Sequence, residues 1–354
     1  MKHVYLFFLF FTSLLFSQEA YYNDIPNLSS LDGQDLYLAL QNKISSASST
    51  FTYGDNRDTM KTTDDEDFDD TDGNDTSTTL WLMYGYDDSD MNCTTDRTRD
   101  ENDYGGATCL YNREHVFARS LADPPMGDAV NSAIGIVADP HNIRPSDYQM
   151  NSDRGNLEFA FGSGNAGVVS GLYWYPGDEW KGDVARIIMY MYTRYGDQCL
   201  PEYVGNGNKE GTTNMLQLFL QWNVDDPVSA FEYQRNEYLE TVYGNRNPFI
   251  DDPYLATKIW GGPAAEDTWG ILSTKDAPTI NFKMYPNPVK NDFLFFSSTQ
   301  DLKVIVYDVL GKQVEIENIN PDKNFIDVSA LHKGIYLVRL ISKDGQVTRK
   351  LIRQ

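Results

Sequence analysis

Histidine is scarce in this 354-residue chain, with four in all, and cysteine is scarcer, with three. The odd cysteine count leaves one over in any disulfide scheme, and no Cys-x-x-Cys or Cys/His spacing suggests a zinc site. Basic charge is short as well: 29 Lys and Arg stand against 52 Asp and Glu, a formal net charge of −23. A nucleic-acid binder usually shows a basic footprint, so the total counts against that class. The distribution weakens the objection, because the acid is concentrated before residue 111 and residues 111–194 are close to neutral. A long apolar run is also missing. The longest, VYLFFLFFTSLLF, follows Lys2 and ends near Ser17-Gln18. It is too short to span a bilayer and reads as a secretory signal peptide over residues 1–17. The expected product is an exported chain without a membrane span. Export permits a disulfide. Cys93 with Cys109 would close a short loop, worth roughly 3 kcal/mol in the chain-entropy model; three buried free thiols are the equal alternative.

The apolar spacing predicts helices over residues 35–46, 183–195, 214–223 and 228–243, the second with Asp183 as its N-cap. Leu80 to Tyr84 reads as a buried strand and residues 87–108 as a long polar loop. The acidic run 64–75, DDEDFDDTDGND, lacks the terminal glutamate of an EF-hand and reads as a solvated loop. Residues 261–281 are expected to be a linker. From residue 282 the pattern changes to short alternating strands, with turns expected at Leu310-Gly311 and Asp344-Gly345. This predicts a small all-β sandwich over 282–354 with no chemistry of its own.

What the chain does have is a polar window from Tyr111 to Asn156 that holds two of the four histidines, His115 and His141. Histidine is the usual general base near neutral pH. Hydrolysing a phosphodiester needs an activated water and charge stabilisation on the phosphorane and the leaving 3′ oxygen. A hard divalent cation with oxygen ligands serves the second need. Glu114 offers a carboxylate, and Asn142, Asn151 and Asn156 offer amide oxygens. Arg144 and Arg154 could hold phosphate oxygens. One difficulty is geometric: Glu114 and His115 are neighbours, and neighbours on a regular strand face opposite ways.

NREHV, followed by DPHNIRPSDYQMNSDRGN, resembles the bacterial endonuclease I family of secreted and periplasmic nucleases. The likeness continues in WYPGDEWKGDVARIIMYM, WNVDDPVSAFEYQRNE and YGNRNPFIDDP, and so covers roughly residues 35 to 255. It implies an α+β nuclease domain over residues 18–260, with a ββα-metal (His-Me finger) core and surrounding helices. By matching positions, His115 is the general base, Glu114 and Asn151 hold the metal, and Arg154 serves catalysis. Arg144, Asn156 and Arg113 are expected to contact substrate. Asn156, with Arg154, sits in the NxDRxN-like run and either orients phosphate or supports the helix. The implied cofactor is Mg²⁺, with Ca²⁺ or Mn²⁺ as substitutes. The implied substrate is DNA, with RNA open, cut to 5′-phosphate and 3′-hydroxyl ends by a monomer. Phe117 stands where the family commonly has tryptophan. A structural role for His141 is as open as a catalytic one, and a buried ion pair is favoured over a phosphate contact for Arg186. MYPNPVKNDFLFFSS, VYDVLGKQV and GIYLVRLISKDGQVTRKLIRQ resemble the type IX secretion sorting domain, which implies a secreted or cell-surface protein handled by that machinery. The rival expectation is an inactive, calcium-stabilised surface adhesin built on a nuclease scaffold.

Overall fold

Leu36, Tyr37, Leu40 and Ile44 recur at helical spacing and are buried along one side of α1 (Gly33–Ser45). α1 belongs to the first of two units into which the chain divides, at Gly270 and Ile271. The computed structural model describes residues 20–67, 77–271, 282–298, 301–308, 313–320, 323–342 and 345–354. The expected signal peptide therefore lies outside the described residues. A second helix, α2 (Asp55–Thr63), was not expected, because Met60 is its only large apolar residue.

β1 (Thr79–Trp81) pairs antiparallel with β2 (Thr98–Asp100). The expected strand 80–84 is thus cut short: Tyr84 has φ 74, a left-handed conformation that ends the extended run. β2 lies inside the stretch read as loop. The disulfide Cys93–Cys109 is formed, with Cα atoms 5.3 Å apart, and Cys199 is a buried free thiol.

β3 (Tyr111–His115) pairs antiparallel with β4 (Ile143–Asp147), and α3 (Tyr148–Arg154) follows β4 directly. Asp147 caps that helix, its Oδ1 accepting from the backbone N–H of Gln149 at 2.8 Å and of Met150 at 3.1 Å. A second ribbon pairs β5 (Gly167–Val169) with β6 (Tyr173–Tyr175). Then comes α4 (Lys181–Tyr195), buried at every residue from Gly182 to Thr193. Trp180, not Asp183, is its N-cap; Asp183 lies in the first turn and turns inward to Arg144. α5 (Gln217–Asp225) and α6 (Ala230–Tyr243) follow. α6 opens on a capping box of Ser229 and Glu232 and closes on Gly244 at φ 95. α7 (Pro248–Asp251) and α8 (Tyr254–Trp260) are the last helices among the described residues.

Two expectations about the edges of this unit need correction. The acidic run 64–75 does not begin as a solvated loop: Asp64 is fully buried, because Arg144 and Arg235 reach it from distant segments. Residues 68–75 of that run lie outside the described residues. The linker does not begin at 261 either. Ala265 and Trp269 are buried, and the Trp269 ring lies 5.2 Å from that of Tyr22, so apolar burial holds this stretch on the first unit. Residues 272–281 are outside the described residues.

Among its described residues the second unit has seven strands: β7 (Phe282–Tyr285), β8 (Phe293–Ser298), β9 (Leu302–Tyr307), β10 (Gln313–Ile319), β11 (Phe325–Asp327), β12 (Gly334–Ser342) and β13 (Gly345–Arg353). They form an antiparallel sheet in the order β10-β9-β12-β13 and another in the order β11-β8-β7. Alternate residues such as Leu294, Phe296, Val304, Val306, Val338 and Leu340 share one core, as in a sandwich. The two expected turn pairs, Leu310-Gly311 and Asp344-Gly345, fall wholly or partly outside the described residues.

Candidate active site

The register of β3 with β4 sets Glu114 opposite Arg144 and His115 opposite Ile143. Side chains alternate along a strand, so Asn112 and Glu114 share one face of β3 while Arg113 and His115 share the other. The contacts follow that division. On the first face, Asn112 Oδ1 accepts from Asn151 Nδ2 of α3 at 2.7 Å. Glu114 Oε1 accepts from the Tyr84 hydroxyl at 3.0 Å and lies 3.3 Å from Arg154 Nη1. On the second face, His115 Nε2 lies 2.9 Å from the Val137 carbonyl, and its ring is nearly parallel to that of Tyr53 at 5.4 Å.

The Val137 contact decides the state of the imidazole. A carbonyl oxygen can only accept, so Nε2 carries the hydrogen in the neutral ring and Nδ1 keeps its lone pair. Burial, aided by the positive charges of Arg119, Arg113 and Arg154, pushes the His115 pKa down to about 4 against the Val137 bond. The ring is therefore neutral at pH 7. Glu114 is pushed the other way. Burial raises its carboxyl to about 6, outweighing Arg154, Tyr84 and the His115 backbone N–H.

The remaining residues singled out in the sequence are placed as follows. Arg154 is wholly buried and closed to a phosphate. It donates through Nη1 to the carbonyls of His115 at 3.3 Å and Gly155 at 3.1 Å, and through Nη2 to that of Val116 at 2.8 Å. It ties the end of α3 to the end of β3. Arg144 does not reach a substrate surface: it is 1% exposed, with Nε 2.7 Å from Asp64 and Nη1 3.0 Å from Asp183. Arg113 is half-buried over the Tyr53 ring at 3.6 Å and donates to Asn131 Oδ1 at 3.0 Å. Asn156 is exposed beyond α3.

Asn142 clasps the backbone of Phe117, accepting from its N–H at 2.7 Å and donating to its carbonyl at 3.1 Å, so it is no ion ligand here. His141 is buried with Nε2 3.0 Å from Asn245 Oδ1 and 3.2 Å from the Asn245 carbonyl, the loop-bonding role. Arg186 holds Glu232 in two contacts of 2.6 and 2.7 Å inside the core. Sequence reasoning missed Tyr53, Tyr84, Asn112 and the exposed Arg119. Asn112 was within reach, being two residues before Glu114 on a strand. The tyrosines carry no local signal.

The chain belongs to the endonuclease I family, which it matches over residues 32–254. Residues 283–354 match the secretion system C-terminal sorting domain, which marks the chain for secretion. An extracellular ribonuclease of Bacillus amyloliquefaciens is 39% identical over 178 residues, which is 47% of this chain and 59% of that protein. An extracellular ribonuclease of Bacillus subtilis (strain 168) is 40% identical over 180 residues, with the same two shares. A periplasmic deoxyribonuclease of Aeromonas hydrophila is 27% identical over 123 residues, 32% of this chain and 47% of that protein. The chain thus spans about three fifths of the length of the ribonucleases it matches. Among the described residues no helix is long and apolar enough to cross a membrane.

Proposed function

We propose that the first unit is a metal-assisted endonuclease with a His-Me finger site made by β3, β4 and α3, in which His115 takes the proton from the attacking water. The observation that carries this reading is the Val137 bond, which leaves Nδ1 as the free lone pair of a neutral imidazole. Nδ1 draws the proton from a water aligned with the phosphorus, the water oxygen bonds to phosphorus as the bond to the 3′ oxygen breaks, and that leaving oxygen takes a proton from solvent water. Water is the nucleophile, so no 2′-hydroxyl is needed and both DNA and RNA fit as substrates. Relatives named as ribonucleases and as deoxyribonucleases support that breadth.

The residues fit a hard cation such as Mg²⁺, with Ca²⁺ or Mn²⁺ as substitutes. Glu114 is a buried carboxylate whose charge one guanidinium does not fully balance. The Asn151 amide nitrogen is engaged by Asn112, which leaves its oxygen as the end to offer. Among the described residues no group of three His, Cys, Asp or Glu could hold an ion. A cation that keeps several waters needs only two protein oxygens. Bound by Glu114 and Asn151, it would neutralise charge on the phosphorane and the leaving oxygen. Arg154 positions Glu114 and the His115 backbone from behind. Export through the type IX machinery fits the sorting domain.

The test is single-turnover cleavage of plasmid and of RNA across a Mg²⁺ series. His115→Ala should lose about 10²–10⁴ in rate at every metal concentration, the usual cost of a lost general base. Glu114→Ala and Asn151→Ala should recover in part at high metal. Rescue of His115→Ala by metal alone would show that the roles are assigned wrongly.

A further inference from the structure

The Val137 carbonyl belongs to a short irregular loop, Gly135 to Asn142, made of two single turns on either side of Asp139. Nothing in a loop of this kind fixes a carbonyl on its own. Asp139 is fully buried, and its carboxylate anchors the loop beside two other buried contacts, Asn56 Nδ2 donating to the Ala138 carbonyl at 2.9 Å and Arg235 Nη2 to that of Pro140 at 2.6 Å. Oδ2 accepts from the Tyr195 hydroxyl at 2.7 Å, from Arg194 Nη1 at 2.8 Å and from the Tyr190 hydroxyl at 3.1 Å. Oδ1 accepts from the His141 backbone N–H at 3.0 Å. The three side-chain donors all stand on the last turns of α4, a helix buried from Gly182 to Thr193. The loop in turn grips the end of β3 twice. Val137 holds the His115 ring, and Asn142 clasps the backbone of Phe117, two residues further on. The Asp139 carboxylate therefore ties α4 to the loop that carries both the grip on the His115 ring and the clasp on the Phe117 backbone.

We propose that Asp139 is a positioning residue for His115. It fixes the carbonyl that holds the ring, and thereby fixes which ring nitrogen is free and where it points. This inference rests on the reading of His115 as the base. A neutral imidazole without that carbonyl can carry its hydrogen on either nitrogen, and the Nδ1–H form cannot accept a proton from water at that position. A displacement of about 1 Å at such a group costs on the order of 10²-fold in rate. The grip acts on the base alone, so it should leave the Glu114 and Asn151 side of β3 unchanged.

The experiment is a double-mutant cycle in single-turnover cleavage at saturating Mg²⁺ and substrate, using the full chain. Asp139→Asn alone should lower the rate about 30-fold, with KM and Mg²⁺ affinity within about twofold of the parent. Tyr195→Phe, which removes one donor and keeps the ring, should lower it about threefold. In a His115→Ala background both substitutions should change the residual rate by less than about twofold, because no ring is left to hold. The imidazole ¹⁵N spectrum supplies a second readout: the parent should show one Nε2–H tautomer at His115, and Tyr195→Phe a mixture. Equal losses in the parent and His115→Ala backgrounds, or an unchanged tautomer in Tyr195→Phe, would overturn the proposal. A normal rate in His115→Ala itself would instead overturn the assignment of the base.

Discussion

Glu114 gives a prediction that needs no substrate. Its folded pKa is about 6 against an ordinary 4.5, with burial as the main cause. A raised folded pKa means that the associated stability is present below pH 4.5 and is lost as pH climbs through 6. The shift of about 1.5 units, at 1.36 kcal/mol each, puts the cost of the ionised carboxylate at about 2 kcal/mol at pH 7.5. A cation bound at Glu114 offsets that cost. At a concentration 100 times its Kd it stabilises the fold by about 2.7 kcal/mol. For a unit of this size each kcal/mol moves Tm by about 2–4 °C, so Mg²⁺ should raise the melting point of the first unit by about 5–10 °C over chelator. The assay is a near-UV circular dichroism melt at pH 7.5 for four proteins. The parent and His115→Ala should show the full rise, Asn151→Ala a reduced one and Glu114→Gln none. A full rise in Glu114→Gln, or its loss in His115→Ala, would refute the reasoning, because it would move the ion to the other face of β3.

His141 is held neutral by burial, its pKa pushed down to about 4 from 6.5. Its contribution to stability is full above pH 6.5 and is lost as pH falls towards 4, about 3 kcal/mol across that window. Urea denaturation from pH 4.5 to 7 should therefore show a steeper dependence in the parent than in His141→Gln, and parallel curves would contradict this. Arg186→Ala leaves Glu232 buried without its two-point partner and should lose about 3–5 kcal/mol; a loss under about 1 kcal/mol in urea would show that the pair is unimportant. Ending the chain after Lys275 removes the second unit and should leave DNA cleavage within about twofold, since the first unit has its own core. Folded but inactive protein from that truncation would refute the independence of the first unit.

The sequence reading reached the hairpin through the scarcity of histidine, and the strand period explains why Glu114 and His115 divide between two faces. It failed where partners are far apart in the chain. Arg144 looks the same in a polar cluster whether its partner is a phosphate or Asp64, 80 residues away. Asp64 looks solvated in an acidic run because nothing nearby announces Arg144 or Arg235. Tyr84 reads as one more apolar strand position, yet its left-handed backbone ends the strand and its hydroxyl meets Glu114. Tyr53 comes from the connection into α2, with no motif to mark it. The apolar faces of α1, α4, α5 and α6 were legible, whereas the short α8 was missed despite its buried Leu255, Ala256, Ile259 and Trp260, and α2 was missed because its burial rests on Asn56, Thr59, Met60 and Thr63. The disulfide was one of two readings that the spacing left open, and only the fold chose between them.

The hairpin of β3 and β4 has no tight turn. Residues 116–142 separate its strands, too many for loop geometry to choose how they align. A slip of one residue would carry His115 to the α3 side and Glu114 to the Tyr53 side, exchanging the proposed base and the proposed ligand. The slip is opposed by the Asn142 clasp on Phe117 and by charged pairs on β4: Arg144 with Asp64 and Asp183, and Asp147 with Arg99 at 3.2 Å. Arg235 adds a bond to the Ile143 carbonyl at 2.7 Å. The alignment of the strands is thus remembered in charge rather than in a turn. A chain that lost those pairs could keep its sheet and still misplace its chemistry, like a key cut correctly and inserted back to front.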